Sequence, residues 1–343
     1  MSAKEITVPT DLCDAAGHLS PDSIGWARHP LIRCNVTGSP LRKKKWNYWC
    51  VTSPELLFSV TISHLDYAAV MFVYALDLRT LRFREQTVLA PLGVGCRLPD
   101  EVDASAGYSG KELTISFEEL GAGTSGTRLR VEAPNFGGRG QALSADIFVR
   151  RPDGHETLNV VVPWSKMRYQ FTSKQEALPA QGQVRWEGQT YALSEGEAFG
   201  CLDFGRGKWP YRANWNWAAA SGKSTAGHTI GLNLGGQWTD GTGQTENGIV
   251  VNGRLTKIHE DVVWTYNRKR YMEPWTMRTA GSDRVSLVFE PLFERTAKTN
   301  ALLIRSEVHQ MIGRFRGRIV SEDGEAIVLD GLLGWAEDHL AHW

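Results

Sequence analysis

At 343 residues the chain exceeds the size at which one hydrophobic core usually stops growing, so two domains or one large β domain are expected. Lys plus Arg equals Asp plus Glu at 38 each and the isoelectric point is near 7.1, so no basic field exists to recruit a phosphate backbone; nucleic acid is not an expected partner. The five cysteines (Cys13, Cys34, Cys50, Cys96, Cys201) are odd in number, scattered and never paired as C-x-x-C, which argues against a disulfide framework and against a zinc site. They are expected to be reduced and mostly buried.

The start, M-S-A-K-E-I-T-V-P-T-D, carries no apolar signal core, and the longest apolar run, Ala68 to Leu76, is too short to span a bilayer. The expectation is a cytoplasmic protein without a transmembrane segment. Pro9, Pro21, Pro30 and Pro40 make the first forty or so residues loop-rich. Short β-rich segments then dominate, among them Leu56 to Ser63, Ala69 to Asp77, Glu112 to Phe117, Arg128 to Glu132, Ala145 to Arg150 and Leu158 to Val162. Gly, Pro, Ser and Asp clusters separate them, the pattern of closely spaced antiparallel strands in a sandwich or barrel.

Thr172 to Gly182, with a proline, a glycine and few apolar residues, is the best linker in the sequence. It divides the chain into an N-terminal β domain, 1–180, and a C-terminal β domain, 181–343. In the second half Asn252-Gly253, between Gly248–Val251 and Arg254–Ile258, supplies the positive φ angles of a two-residue hairpin. Lys45 to Trp49 echoes Asn214 to Trp217, and an alternating strand follows each, Phe58/Val60/Ile62 and Ile230/Leu232/Leu234. Either a duplicated β unit or a chance similarity of tryptophan-rich strands accounts for it.

The densest stretch is Leu202 to Gly222, L-D-F-G-R-G-K-W-P-Y-R-A-N-W-N-W-A-A-A-S-G. Charges and tryptophans crowded together suit a cavity wall, where a few polar groups orient what apolar walls bury. The Gly-rich segment before Pro210 reads as a tight turn presenting Arg206, Lys208 or Trp209, with Asp203 three residues before Arg206 as its partner. Beyond it, period-two alternation puts Tyr211, Ala213, Trp215 and Trp217 on one strand face and Arg212, Asn214 and Asn216 on the other. Either the aromatic face lines the core and the polar face meets water, or the polar face looks into the cavity.

This stretch resembles the signature of a bacterial family catalogued only as a domain of unknown function, G-R-G-x-W-P-Y followed by W-x-W and S-G. The resemblance extends to Gly25–Leu31, Val162–Ser165, Asn247–Ile249 with Gly253–Leu255, and Gly331–Glu337. More distantly, that family is similar to two-barrel, lipocalin-like proteins that include carotenoid hydratases and tocopherol-cyclase-like enzymes. The resemblance implies an all-β fold of two lipocalin-like barrels acting on apolar, isoprenoid-type molecules, with an acid protonating an alkene.

For such chemistry Asp203 and Glu246 are the catalytic candidates, since a carboxyl desolvated beside tryptophan becomes a proton donor near neutral pH. Glu290, Glu337 and Asp338 are further acids, with His309 and His339 as partners, although the W-A-E-D-H terminus reads by default as solvated. The ligand-binding candidates are Arg206, Trp209, Tyr211, Arg212, Asn214, Trp215, Asn216 and Trp217, joined from the first half by Trp46 and Trp49. Paired carboxylates with Trp platforms also suit a carbohydrate-active enzyme, and the same cavity without a strained acid suits a non-catalytic binding protein. No G-x-S-x-G, H-E-x-x-H or dinucleotide fingerprint is present, so neither a cofactor nor a metal is expected.

Overall fold

A computed structural model describes residues 3–121, 124–301 and 304–342. In chain order its strands are β1 (Thr10–Asp11), β2 (Trp26–Ala27), β3 (Ile32–Arg33), β4 (Lys43–Thr52), β5 (Leu56–His64), β6 (Ala68–Asp77), β7 (Phe83–Pro91), β8 (Cys96–Arg97), β9 (Ala106–Ser109), β10 (Thr114–Leu120), β11 (Gly126–Ala133), β12 (Leu143–Arg150) and β13 (Leu158–Ser165). There follow β14 (Arg168–Trp186), β15 (Gln189–Leu193), β16 (Phe199–Lys208), β17 (Arg212–Lys223), β18 (Thr229–Gly236), β19 (Asn247–Val251), β20 (Arg254–Ile258), β21 (Val262–Thr265), β22 (Trp275–Thr279), β23 (Val285–Ala301), β24 (Ile304–Val320) and β25 (Ala326–His342). One 3₁₀ turn, Pro21–Ser23, is the only helical element among the described residues.

Apart from a small parallel pair, β1 with β3, the strands form two large antiparallel sheets. The first runs β7-β6-β5-β4-β16-β14-β12-β11-β10-β9-β8, with β2, β13 and β15 attached beside it; the second runs β20-β19-β18-β17-β25-β24-β23-β22-β21. Each curls around its own core. Val51, Phe58, Val60 and Met71 from one end of the first path meet Ile115, Val131 and Ile147 from the other. In the second, Ile230, Leu232 and Ile249 meet Trp275, Met277 and Leu287 across the curl. The fold is therefore all-β with two units, as the strand spacing implies.

The two alternating strands of the apparent repeat do matching work: Phe58, Val60 and Ile62 fill the first core, and Ile230, Leu232 and Leu234 the second. The Asn-Gly turn forms as expected, with Asn252 at φ 50° and Gly253 at φ 83° closing the Val251–Arg254 pair.

The linker expectation does not hold. Thr172 to Gly182 lies inside the 19-residue strand β14, and all but three of these residues are buried. The chain passes from the first sheet to the second between Lys208 and Arg212, so a division at 180/181 cuts through a central strand. The segment expected to turn at Gly205–Gly207 is likewise regular strand, and the solvated terminus is instead β25, hydrogen-bonded on both sides to β17 and β24.

Gly205 and Gly207 are needed for close approach within that strand. A Cβ on Gly205 would lie 2.2 Å from the Trp46 ring, and one on Gly207 would lie 2.3 Å from the Tyr169 carbonyl oxygen and 2.8 Å from the Gln170 Cα. Backbone cannot step aside as a side chain can. Gly207→Ala is therefore expected to cost about 3 kcal/mol, read as a lowered urea midpoint with unchanged slope.

Candidate active site at the seam between the two units

The outer faces of the two sheets pack against each other, and two cross-strand rows meet there. Lys174 on β14, Asp203 on β16, Tyr48 on β4 and Thr61 on β5 are register neighbours in the first sheet. Trp217 on β17, Glu337 on β25, Gln310 on β24 and Arg295 on β23 are register neighbours in the second. The rows touch along their length. The Lys174 ammonium sits 4.5 Å from the centre of the Trp217 ring, Tyr48 meets Trp217 edge-on at 5.4 Å, and Tyr74 donates to Gln310 Oε1 at 2.8 Å. Arg295 closes the far end on Glu85 at 2.6 Å.

Lys174 is the hub. Its Nζ lies 3.0 Å from Asp203 Oδ1 and 3.0 Å from Glu246 Oε2, with all three side chains buried. Burial alone would pull the ammonium down in pKa, but the two carboxylates hold it above its ordinary range. Thr172 Oγ1 donates to Asp203 at 3.2 Å, and Trp238 Nε1 donates to Glu246 Oε1 at 2.5 Å. Burial raises the Glu246 carboxyl against the pull of Lys174. Gly235 makes room for it, since a Cβ there would lie 2.1 Å from Glu246 Oε1.

Two further buried carboxyls lie on the seam. Glu176 sits at a bulge of β14, where Ala177 takes φ 58° and its N–H donates to Ser221 Oγ at 2.9 Å. Burial pushes Glu176 well above the carboxylate range, and the Cys201 thiol donates to its Oε1 at 3.1 Å. Glu337 accepts from Trp215 Nε1 at 3.0 Å and from Gln310 Nε2 at 3.3 Å, and burial pushes it up to about 7. Beside it the His339 ring packs 4.0 Å from Trp215, and burial together with Arg295 depresses its pKa to about 3.

Tryptophans cluster along the rest of the seam. Trp209 is surrounded by Trp46 at 5.9 Å, Trp164 at 4.8 Å, Trp215 at 5.6 Å and Trp238 at 5.1 Å, and its Nε1 donates to Gln170 at 2.7 Å.

The candidates of the sequence are thus partly gathered and partly dispersed. Asp203, Glu246, Trp46, Trp209, Trp215 and Trp217 converge on the seam. Arg206 does not: alternation along β16 turns it with Phe204 toward the first core, away from Asp203. There its guanidinium donates to the carbonyls of Pro99, Trp46 and Gly205 and to Asn47 Oδ1. The expected Asp203–Arg206 pair is replaced by Asp203–Lys174. Trp49 is packed in the first core, Tyr211 is exposed against His342, and Arg212 is exposed.

The polar face of β17 turns into the mouth of the second unit, where Asn216 Nδ2 donates to Tyr266 OH at 3.0 Å and Asn214 donates to Gln237. Glu290 pairs with Arg316 at 3.0 Å but is half-exposed. Lys174, Glu176, Tyr74, Gln310 and Arg295 escape the sequence reading. Thr172, Lys174 and Glu176 do alternate at period two, the one signal that marks β14 as a strand, but Pro179 and Gly182 obscure it.

Four of the five cysteines are buried and all are free thiols. Among the described residues no three His, Cys, Asp or Glu side chains gather as a metal site, and no helix is long and apolar enough to cross a membrane.

A two-unit antiparallel β protein with a charged, tryptophan-walled seam is the class these features define. The sequence matches, over residues 3–343, the family described as domain of unknown function DUF2804, and the chain belongs to it. No curated protein matches the sequence. Among solved structures it is similar to an AttH-like protein of Nitrosomonas europaea, at 11% identity and a TM-score of 0.49, covering 87% of this chain and 92% of that one. Kievitone hydratase of Nectria haematococca is similar at 10% identity and a TM-score of 0.45, covering 88% and 89%. CghA, crystallised with Sch210972, is similar at 9% identity and a TM-score of 0.43, covering 90% of each chain.

Proposed function

We propose that the seam binds a small, largely apolar molecule of lipid or isoprenoid type and protonates it, with Glu337 as the acid. The observation that carries this reading is a buried carboxyl held near pH 7 beside an indole wall, since a general acid works best when its pKa lies near the working pH. Asp203, the acid favoured by neighbourhood in the sequence, serves here as the counter-ion of Lys174. Hydration or isomerisation of an alkene would follow: Glu337 gives its proton to one alkene carbon, and a proton lost from water or from the neighbouring carbon restores the acid. The paired-carboxylate reading is less well supported, because Lys174 occupies the space between Asp203 and Glu246 that a glycosidic bond would need.

The test is extraction and mass spectrometry of what co-purifies with the protein from its own host. A bound isoprenoid or lipid, lost from the Trp215→Ala/Trp217→Ala variant, is the expected result. Glu337→Gln should keep the molecule and fail to convert it. An empty protein, or a Glu337→Gln variant that converts the identified molecule at the parent rate, would overturn the proposal.

A further inference from the structure

The mouth of the second unit carries a separate open groove of about 490 Å³ on the side of β17 opposite the seam tryptophans. Trp264 and Tyr266, both half-buried, supply ring surface. Asp240 and Asp261 supply exposed carboxylates, Asn216 and Gln237 supply amides, and Arg268 stands where this groove meets its neighbour. Gly236 keeps the floor low, since a Cβ there would lie 2.9 Å from Trp264 Nε1.

The polar groups are tied into one line. Asn214 donates to Gln237 Oε1, Gln237 Nε2 donates to Asn216 Oδ1 at 2.5 Å, Asn216 Nδ2 donates to Tyr266 OH at 3.0 Å, and Arg268 Nη2 donates to the same hydroxyl at 3.3 Å. Asp338 anchors Arg268 at 3.0 Å. Gln237, at the centre of this line, is held at φ 69°, a left-handed conformation that a side-chain-bearing residue seldom adopts.

We infer that this groove is a binding site for a saccharide. A sugar ring presents a flat C–H face that packs on an indole or phenol and a rim of hydroxyls that both donate and accept. The groove offers ring surface together with acceptor carboxylates and the Gln237 amide, which the buried Asn216 side chain holds in place. An anionic ligand fits poorly, because two carboxylates face it and the one lining guanidinium is already paired with Asp338. An apolar ligand fits poorly for the same polar lining. The inference is independent of the seam chemistry, which uses other residues on another face.

The experiment is calorimetric titration of the intact protein with soluble oligosaccharides of glucose, xylose and N-acetylglucosamine, with choline and spermidine as cationic probes. One oligosaccharide series is expected to bind. Asp240→Asn/Asp261→Asn, two changes at exposed positions, should weaken it about tenfold or more, and Trp264→Ala should abolish it; the double variant decides the matter if the tryptophan variant misfolds. Absence of binding by every oligosaccharide, equal binding by the double variant, or binding of choline or spermidine in their place would overturn the assignment.

Discussion

Lys174→Met is expected to destabilise the protein by about 3–5 kcal/mol at neutral pH, because it leaves Asp203 and Glu246 buried without their cation. The loss comes from stranded charge more than from missing attraction. A triple variant, Lys174→Met/Asp203→Asn/Glu246→Gln, should therefore recover most of the stability, since an ion cluster replaced as a whole by neutral groups of like volume costs little. Urea unfolding of the parent, the single and the triple variant checks this. A single variant within about 1 kcal/mol of the parent would mean that water reaches the cluster and solvates it.

Glu337→Gln is expected to stabilise the protein by about 3 kcal/mol at pH 8 and hardly at all near pH 4. The folded carboxyl titrates near 7 and an unfolded one near 4.5, so between these values the folded chain holds a proton that the unfolded chain has released. Stability from this group is full below about pH 4.5 and is lost as pH rises through about 7. Ten-fold in proton affinity is about 1.4 kcal/mol, which sets the size of the effect. His339 acts in the opposite sense: its depressed pKa contributes stability above about 6.5 that is lost as pH falls toward 3. The quantity to measure is therefore the difference between variant and parent across pH, in which the histidine cancels. A flat difference would remove Glu337 as a group poised near neutrality, and with it the proposed acid.

The β-rich character of the chain and its most distinctive segment were legible because their signals are local. Period-two alternation, the Asn252-Gly253 turn and the crowding of tryptophan at 209–217 each need only neighbouring residues to be recognised. The seam was not legible, because it depends on which strands lie side by side. Lys174 meets Asp203 only because β14 pairs with β16, and meets Glu246 only because the second sheet folds over the first. Composition even pointed the other way at β14. Polar residues with a proline and a glycine look like a linker until the partner carboxylates that bury the lysine are in place.

The facing of Arg206 shows the same limit in reverse. Its neighbours in sequence suggested a ligand-facing guanidinium, but a one-residue shift in alternation decides which side of a sheet a residue serves. The glycines around it exist so that Trp46, Gln170 and the neighbouring backbone can come close.

The bulge at Glu176–Ala177 and the lysine beside it bear on whether the units can stand apart. A first unit alone would face water with Tyr48, Tyr74 and Trp46, and a second unit alone with Trp217 and Trp335; Glu246 would also lose its lysine. Neither half is expected to fold alone. Apolar clusters shared by both units join the two cores, so calorimetric unfolding is expected to show one transition, with damage to either core lowering it.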